Sequence, residues 1–192
     1  AVLYQAQNKH SLALRPLEQA LALEPDTVGR IRLHAAMTQA GQGKEAAARL
    51  AAWKKAAPDD LQLQMYDADL MLSAKQFAAA IPVLENVVAK TPRNVAALNN
   101  LAWAYHQVKD PRAAKTAERA VALAADSPAV LDTLGYILVG QGDVARGLEH
   151  LNKAVKLAPT EPMFRFHLAQ GMVIAVKGFT QLAEAQALRA EL

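Results

Sequence analysis

The stretch 128–159, PAVLDTLGYILVGQGDVARGLEHLNKAVKLAP, contains two apolar patterns that are separated by the short polar segment GQGDV. In the first pattern, Leu134 is followed directly by Gly135. The second pattern consists of Gly147, Leu151 and Ala154. Spacing of i, i+4 and i+7 lines one face of a helix. The stretch therefore predicts two amphipathic helices joined by a turn, with Pro159 marking the end of the pair.

The same arrangement recurs along the chain. Prolines end successive blocks at Pro25, Pro58, Pro92 and Pro159, in steps of 33, 34 and 67 residues, and Ala125 stands where a further proline is due. The small residue of the second helix recurs as Ala13, Ala46, Ala80, Ala113, Gly147 and Ala183. The leucine of the first helix recurs as Leu33, Leu101, Leu134 and Leu168. Four residues after each leucine there is another apolar residue, namely Met37, Tyr105, Leu138 and Met172.

This pattern resembles the tetratricopeptide repeat, a helix–turn–helix unit of about 34 residues. The resemblance covers the whole chain and implies an all-α fold, a right-handed α-solenoid of about six repeats. We expect a single array over residues 1–192, with a partial block at 1–25 and further blocks at 26–59, 60–93, 94–126, 127–160 and 161–192.

Some blocks depart from the pattern. Ala1 aligns beside Ala102 and Gly135, so the first block lacks the front of its first helix, and we expect the array to continue upstream. Asp67 occupies the leucine row, which suggests either a rotated helix or a locally hydrated row. The last block has a turn about two residues longer, VKGFTQ at 176–181. Both ends carry apolar residues that a neighbouring repeat would cover, so end-to-end self-association is expected; these are Leu3, Tyr4, Phe179, Leu182, Leu188 and Leu192.

Composition excludes several functions. The chain has 21 basic and 18 acidic residues, and its basic residues are not gathered as they usually are on the face of a nucleic-acid-binding protein. Without cysteine it has no disulfides, no thiolate nucleophile and no cysteine-based zinc site. Its longest apolar runs fall far short of the ~20 residues that span a bilayer, so this segment is not expected to insert into a membrane.

Catalytic and cofactor motifs also fail on inspection. GQGDVA at 140–145 fits a loose dinucleotide pattern, but such a loop must follow a strand, and this one joins two predicted helices. GQGKE at 41–45 has Glu45 where a phosphate-binding loop needs Ser or Thr. No two histidines have metal-ligand spacing along a helix. The sequence therefore predicts a protein that is not an enzyme and that holds no cofactor or metal.

The resemblance places the first helix of each repeat on the inner, concave surface. Asn99, Asn100, Trp103 and His106 would then form one exposed stripe on that surface. Adjacent helices pack 8–10 Å apart, so Trp103 should stand beside Tyr136. Amide, indole and phenol groups suit an extended peptide. Alternatively, Trp103 fills a gap between repeats and the asparagines remain hydrated. The candidate groove residues are Tyr66, Asp69, Asn99, Asn100, Trp103, His106, Asp132, Thr133, Tyr136, His167 and Gln170.

Some tetratricopeptide proteins hold the carboxyl-terminal tail of a chaperone with Lys and Asn residues on three successive repeats. Asn100 fits the central asparagine of such a clamp. The block before offers Met65 and Asp69, and the block after offers Ala129 and Thr133, where Lys or Asn is expected. The pattern therefore disfavours binding of an anionic tail.

The predicted function is that of a binding scaffold that holds a protein or an extended peptide in its groove. The phrases ALNNLAWAY, AVLDTLGYILV and GLEHLNKAVKLAP look like those of bacterial arrays that act in exopolysaccharide export and exosortase-type protein sorting. That likeness implies a periplasmic protein, or one anchored to the outer membrane through an upstream segment. The alternative is a regulatory or co-chaperone-like module of a cytosolic complex.

Overall fold

The computed structural model describes residues 10–190, with side chains given for residues 11–178 and for Thr180. All regular structure in that range is α-helical, so the all-α prediction is confirmed. The helices are α1 (His10–Leu23), α2 (Thr27–Gln39), α3 (Gly43–Ala56), α4 (Leu61–Ser73), α5 (Phe77–Lys90), α6 (Val95–Gln107), α7 (Ala113–Leu123), α8 (Pro128–Gly140), α9 (Val144–Leu157) and α10 (Pro162–Ala190). The predicted end residues Leu3, Tyr4 and Leu192, and the side chains of Phe179, Leu182 and Leu188, lie outside the described part.

The chain divides into two compact units, one ending at Leu70 and the other beginning at Met71, so the boundary falls inside α4. The core of the first unit consists of Ala13, Leu17, Leu33, Ala36, Met37 and Ala46. The second unit buries the apolar side of α5 and most of α8, where nine of thirteen residues are buried. The single array over 1–192 stays a prediction, because it concerns how the two units continue into each other.

Each helix pair is joined by a turn of one recurring type. The residues Gly41, Lys75, Lys109 and Gly142 have φ of 82°, 58°, 61° and 92°. In every case the next residue donates its N–H to the carbonyl oxygen five positions back, with N–O distances of 2.8–2.9 Å for Gln42 to Met37, Gln76 to Met71, Asp110 to Tyr105 and Asp143 to Leu138. A left-handed residue closing this hydrogen bond is a common helix end. The turns therefore repeat at the same 33–34-residue step as the sequence pattern.

Helices α8 and α9 approach each other through glycines. A Cβ on Gly135 would lie 2.7 Å from the carbonyl oxygen of Gly147 and 2.7 Å from Cγ of Leu151. A Cβ on Gly147 would lie 2.6 Å from Cγ2 of Val139 and 2.8 Å from the carbonyl oxygen of Gly135. Because the obstructing atoms include backbone, any side chain would force the helices apart. The small residues at these positions are thus what lets a repeat close.

The predicted packing rows are buried. Leu33, Leu101 and Leu134 are between 1% and 3% exposed, and Ala13, Ala46, Ala80 and Ala113 are fully buried. Asp67, which replaces the leucine in the third block, is only 6% exposed. Its carboxylate accepts from Nζ of Lys54 at 2.5 Å, on the preceding second helix α3. A buried carboxylate needs such a partner. The row is therefore dry at this position and contains an ion pair, contrary to the expected hydration.

The prediction of a helix–turn–helix in the last block, 161–192, is wrong. Helix α10 runs without interruption through VKGFTQ to Ala190, giving 29 residues where α1–α9 have 11–14. The left-handed turn residue stands 33 or 34 residues after the previous one, and the position 34 after Gly142 is Val176. A β-branched side chain strongly disfavours positive φ. The turn that ends the other first helices therefore has no suitable residue here, and the helix continues.

We expect Gly135→Ala to lower the free energy of unfolding by about 1–3 kcal/mol, because the added methyl meets backbone as well as side chain. The matched control is Gly43→Ala, since a Cβ there has nothing within 4 Å and alanine favours the helix. Urea unfolding followed by circular dichroism measures both. Equal stability of the two variants would contradict the close contact of α8 with α9.

Candidate binding surface

Four aromatic rings from three helices form one cluster in the second unit. Trp103 and His106 lie one turn apart on α6, Tyr136 lies on α8, and His167 lies on α10. The ring centroids of Trp103 and Tyr136 are 5.7 Å apart, those of Tyr136 and His167 are 4.3 Å apart, and those of His106 and Tyr136 are 5.4 Å apart. The repeat brings the rings together, because residues one repeat apart occupy equivalent positions on stacked helices. We call these four residues the ring cluster.

A buried hydrogen bond holds one member of the ring cluster in place. Nδ1 of His167 lies 2.7 Å from Oδ2 of Asp132, and the two residues are only 9% and 5% exposed. A carboxylate only accepts, so Nδ1 carries the proton that it donates. In the neutral ring Nε2 is then an acceptor. The other carboxylate oxygen, Oδ1 of Asp132, is buried without a hydrogen-bond partner among the described residues.

An apolar cavity of about 430 Å³ opens beside the ring cluster. Its walls come from the facing sides of α8 and α10, together with His106 of α6; they are His106, Tyr136, Val139, Gly140, Phe166, His167, Ala169, Gln170, Gly171, Val173 and Ile174. None of these side chains carries a fixed charge. The few polar groups are the two imidazoles, the phenol and the amide of Gln170, which is the balance of apolar wall and sparse polar groups that ligand pockets show.

His106 is held against α8 and is neutral near pH 7. A Cβ on Gly140 would lie 2.8 Å from Cε1 of His106, so the imidazole packs directly on the helix backbone. Burial lowers the pKa of His106 below its ordinary value of 6.5, because the charged ring loses hydration. A second cavity of about 440 Å³ adjoins this point and shares His106, Tyr136 and Gly140 with the apolar cavity.

The predicted exposed stripe needs correction. Asn99, Asn100, Trp103 and His106 are partly buried, and Asp132, Thr133 and His167 are buried. The hydroxyl of Thr133 donates to the carbonyl oxygen of Ala129 at 3.0 Å, so it does not face a ligand as a free donor. The reason is that α8 packs against α6, α7, α9 and α10, which leaves little of its surface open. Gln170 is exposed, as predicted for a groove residue.

Tyr66 and Asp69 belong to the first unit. The hydroxyl of Tyr66 lies 2.7 Å from Nδ1 of His34, and the two rings meet edge to face with centroids 5.4 Å apart. Asp69 is exposed. Their predicted place beside Trp103 in one groove stays a prediction.

Three residues of the cavity wall are absent from the predicted site, namely Phe166, Val173 and Ile174. All three lie on α10, where the sequence pattern is least regular. A signal was present, since Phe166, Gln170, Val173 and Ile174 follow the i, i+4, i+7, i+8 spacing of a helix face. The described residues contain no group of three acidic or histidine side chains placed to hold a metal ion.

Comparison with known proteins agrees with this architecture. Tetratricopeptide repeat models match residues 71–135 and 129–161. No curated protein matches the sequence. Among solved structures, MamA from Desulfovibrio magneticus RS-1 is 23% identical over 83% of this chain and 96% of its own, with a TM-score of 0.66. A thermophilic TPR protein of Thermus thermophilus is 19% identical over 90% of this chain and 95% of its own, with a TM-score of 0.66. YrrB, a TPR protein with an unusual peptide-binding site, is 16% identical over 88% of this chain and 87% of its own, with a TM-score of 0.65.

The class defined by helix pairs, turns and packing rows is the all-α tetratricopeptide repeat fold. Residues 71–161 carry repeats that the family models match, and these residues include α6, α8 and most of the ring cluster. The family models and the fold together support membership of the tetratricopeptide repeat family. Identities below 25% extend the likeness to the fold alone.

Asp132→Leu is expected to destabilise the protein by about 1–3 kcal/mol, because it leaves the buried Nδ1–H of His167 without an acceptor. Asp132→Asn is the matched control, since its amide oxygen can still accept that hydrogen bond and the loss should be smaller. Urea unfolding at pH 7.5 gives both values. Asp132→Leu as stable as the parent would show that the Asp132–His167 bond does not fix the imidazole.

Stability is expected to fall as the pH is lowered from 7.5 to 5, starting near the ordinary histidine pKa of 6.5. The unfolded chain takes up a proton on His106 that the folded state, with its lowered pKa, resists, so protons favour unfolding. His34 and His150 contribute in the same sense because their pKa values are also lowered by burial. His106→Gln should therefore lose less stability over this range. Parallel pH profiles for parent and variant, from urea midpoints, would contradict the assignment.

Proposed function

We propose that this protein is a non-catalytic binding module whose ring cluster and apolar cavity hold an extended segment of a partner protein. The observation that carries the proposal is the cavity of about 430 Å³ between α8 and α10, with aromatic and aliphatic walls and no fixed charge. The ordinary packing of repeats does not fill it. The peptide-binding site of YrrB, a solved structure with the same fold, makes a peptide a reasonable ligand class.

The walls of the cavity define the chemistry of the ligand. Phe166, Val173 and Ile174 offer apolar contact, so the inserted group is an uncharged aliphatic or aromatic side chain. Polar groups at the edge suit the peptide backbone: Nε2 of His167 accepts from an N–H, and the amide of Gln170 both donates and accepts. A charged side chain would lose its hydration without gaining an opposite charge. This excludes the anionic tail that the sequence pattern already disfavours.

The non-catalytic part of the proposal rests on the surroundings of His167. A histidine oriented by a carboxylate occurs in catalytic sites, but a nucleophile must then be hydrogen-bonded to its other nitrogen. Among the described residues, the nearby hydroxyl of Thr133 instead donates to a backbone carbonyl. The Asp132–His167 bond therefore acts here to position the ring and to leave one acceptor facing a ligand.

The peptide preference can be measured with ten-residue peptides that differ only at a central position, carrying Phe, Leu, Ala, Lys or Asp. Isothermal titration calorimetry should give at least tenfold tighter binding for Phe or Leu than for Lys or Asp, since burying an unpaired charge is costly. Trp103→Ala and Ile174→Asp should each weaken the Phe peptide at least tenfold, because truncated aromatic contacts dominate binding sites. Circular dichroism of each variant verifies that it is folded.

Arg165→Ala is the matched control, because Arg165 lies on α10 next to Phe166 but is exposed and does not line the cavity. It should leave the affinity of the Phe peptide unchanged. Equal affinity for the Phe and Asp peptides, or equal losses for Arg165→Ala and Ile174→Asp, would overturn the proposal.

We further propose that the partner acts in bacterial exopolysaccharide export or cell-envelope protein sorting, with the protein in the periplasm or anchored to the outer membrane. The support is the likeness of the repeat phrases at 97–105, 129–139 and 147–159 to such arrays. In the part of the chain that the structure describes, no helix is long and apolar enough to cross a membrane. Fractionation of cells producing the protein from its full-length gene tests the location. Recovery only with the cytosol would favour the alternative, a regulatory or co-chaperone-like module.

A further inference from the structure

One position of the repeat is covered in the earlier blocks and uncovered in the last. The apolar residues four positions after the leucine row are Met37, Tyr105, Leu138 and Met172. The first three are 1%, 3% and 4% exposed, whereas Met172 is 47% exposed. Its neighbours on α10 are also open, with Val173 at 54% and Val176 at 64%. The same pattern of residues therefore lies against protein in three blocks and against solvent in the fourth.

The missing cover is the second helix of the block. Helix α2 packs on α3, α6 on α7 and α8 on α9, but α10 continues past Val176 and does not turn back. A cavity of about 530 Å³ remains beside the start of α9, lined by residues that include Val144, Leu148, Ile174 and Gly178. This is the side on which a returning helix would begin.

A segment suited to that cover is present in the chain itself. Ala183, Ala187 and Ala190 repeat the i, i+4, i+7 row of the second helices, which in α9 is Gly147, Leu151 and Ala154. That row in α9 is buried against α8. In a continuous helix, however, Ala183 stands fourteen residues beyond Ala169, about 21 Å along the axis. The segment 181–190 therefore cannot cover the Met172 face of its own α10.

We propose that two copies of this chain exchange the ends of α10, so that residues 181–190 of each copy pack on the Met172 face of the other. The exchange uses the contacts that the repeat makes within one chain, and it is reciprocal, so the pair closes with two-fold symmetry. Val176 enforces the exchange, because it replaces the left-handed turn residue that would let the helix fold back. The surface shares Ala169 and Val173 with the apolar cavity, so the exchanged helix forms a further wall of that cavity.

The test uses the absence of cysteine from the chain. In α8 and α9, the residues equivalent to Ala169 and Ala183 are Gly135 and Gly147, whose backbones touch. Ala169→Cys with Ala183→Cys in one chain should therefore form disulfides that join two copies after mild oxidation. Non-reducing gel electrophoresis should show a covalent dimer. Mixing the two single variants should also give a heterodimer linked through one bond.

Each other outcome contradicts the exchange. A disulfide within a monomer would show that α10 breaks and folds back on its own chain. Failure to form any disulfide while both thiols react with a maleimide would show that the Met172 face is left uncovered or is covered otherwise. The parent chain should sediment as a dimer, and Tyr136→Ala should sediment in the same way, which separates this proposal from peptide binding.

A second pair of variants tests the role of Val176. Val176→Gly permits positive φ at the turn position, and it should shift the sedimentation equilibrium at least tenfold toward monomer by allowing the fold-back. Val176→Ala keeps a helix-favouring residue and should remain a dimer. Equal dimerisation of both variants would show that the turn residue does not determine the exchange.

Discussion

The closest contact between helices in this protein is the approach of Gly135 to Gly147, and the packing of the repeat depends on it. At this point a side chain on either helix would meet the backbone of the other. The other blocks use alanine in the second helix for the same purpose, and all of those alanines are fully buried. Once a pair of helices is held this close, the leucine row is enclosed and equivalent residues of successive first helices come side by side. The ring cluster of Trp103, Tyr136 and His167 is a consequence of that stacking.

A second constraint is the sign of φ at one residue in each turn. Gly41, Lys75, Lys109 and Gly142 all adopt the left-handed conformation, and two of them do so despite carrying a side chain. Lysine tolerates this at modest cost, whereas a β-branched residue does not. The same constraint explains both the four regular turns and the continuous α10. A single substitution in the pattern thus changes a helix pair into one long helix with an unpaired face.

The sequence was sufficient to predict the helices of four blocks, their turns and the packing rows, because their spacing repeats and each row has one physical role. It also predicted that Trp103 and Tyr136 would be neighbours. It could not predict the burial of Asp132 and His167, since both occupy positions that usually face solvent, and only their mutual hydrogen bond makes burial tolerable. Nor did it predict the contribution of Phe166 and Ile174 to the cavity, because that depends on the unexpected continuity of α10.

The central claim is that the apolar cavity beside the ring cluster takes an uncharged side chain from a peptide. Methyl NMR of a sample labelled at isoleucine δ1 carbons tests this directly, because Ile174 lines the cavity and Ile31 belongs to the other unit. Titration with the peptide carrying a central Phe should shift the Ile174 methyl strongly, through the ring current of the inserted side chain, and leave Ile31 in place. Saturating binding that moves Ile31 and leaves Ile174 unshifted would contradict the account.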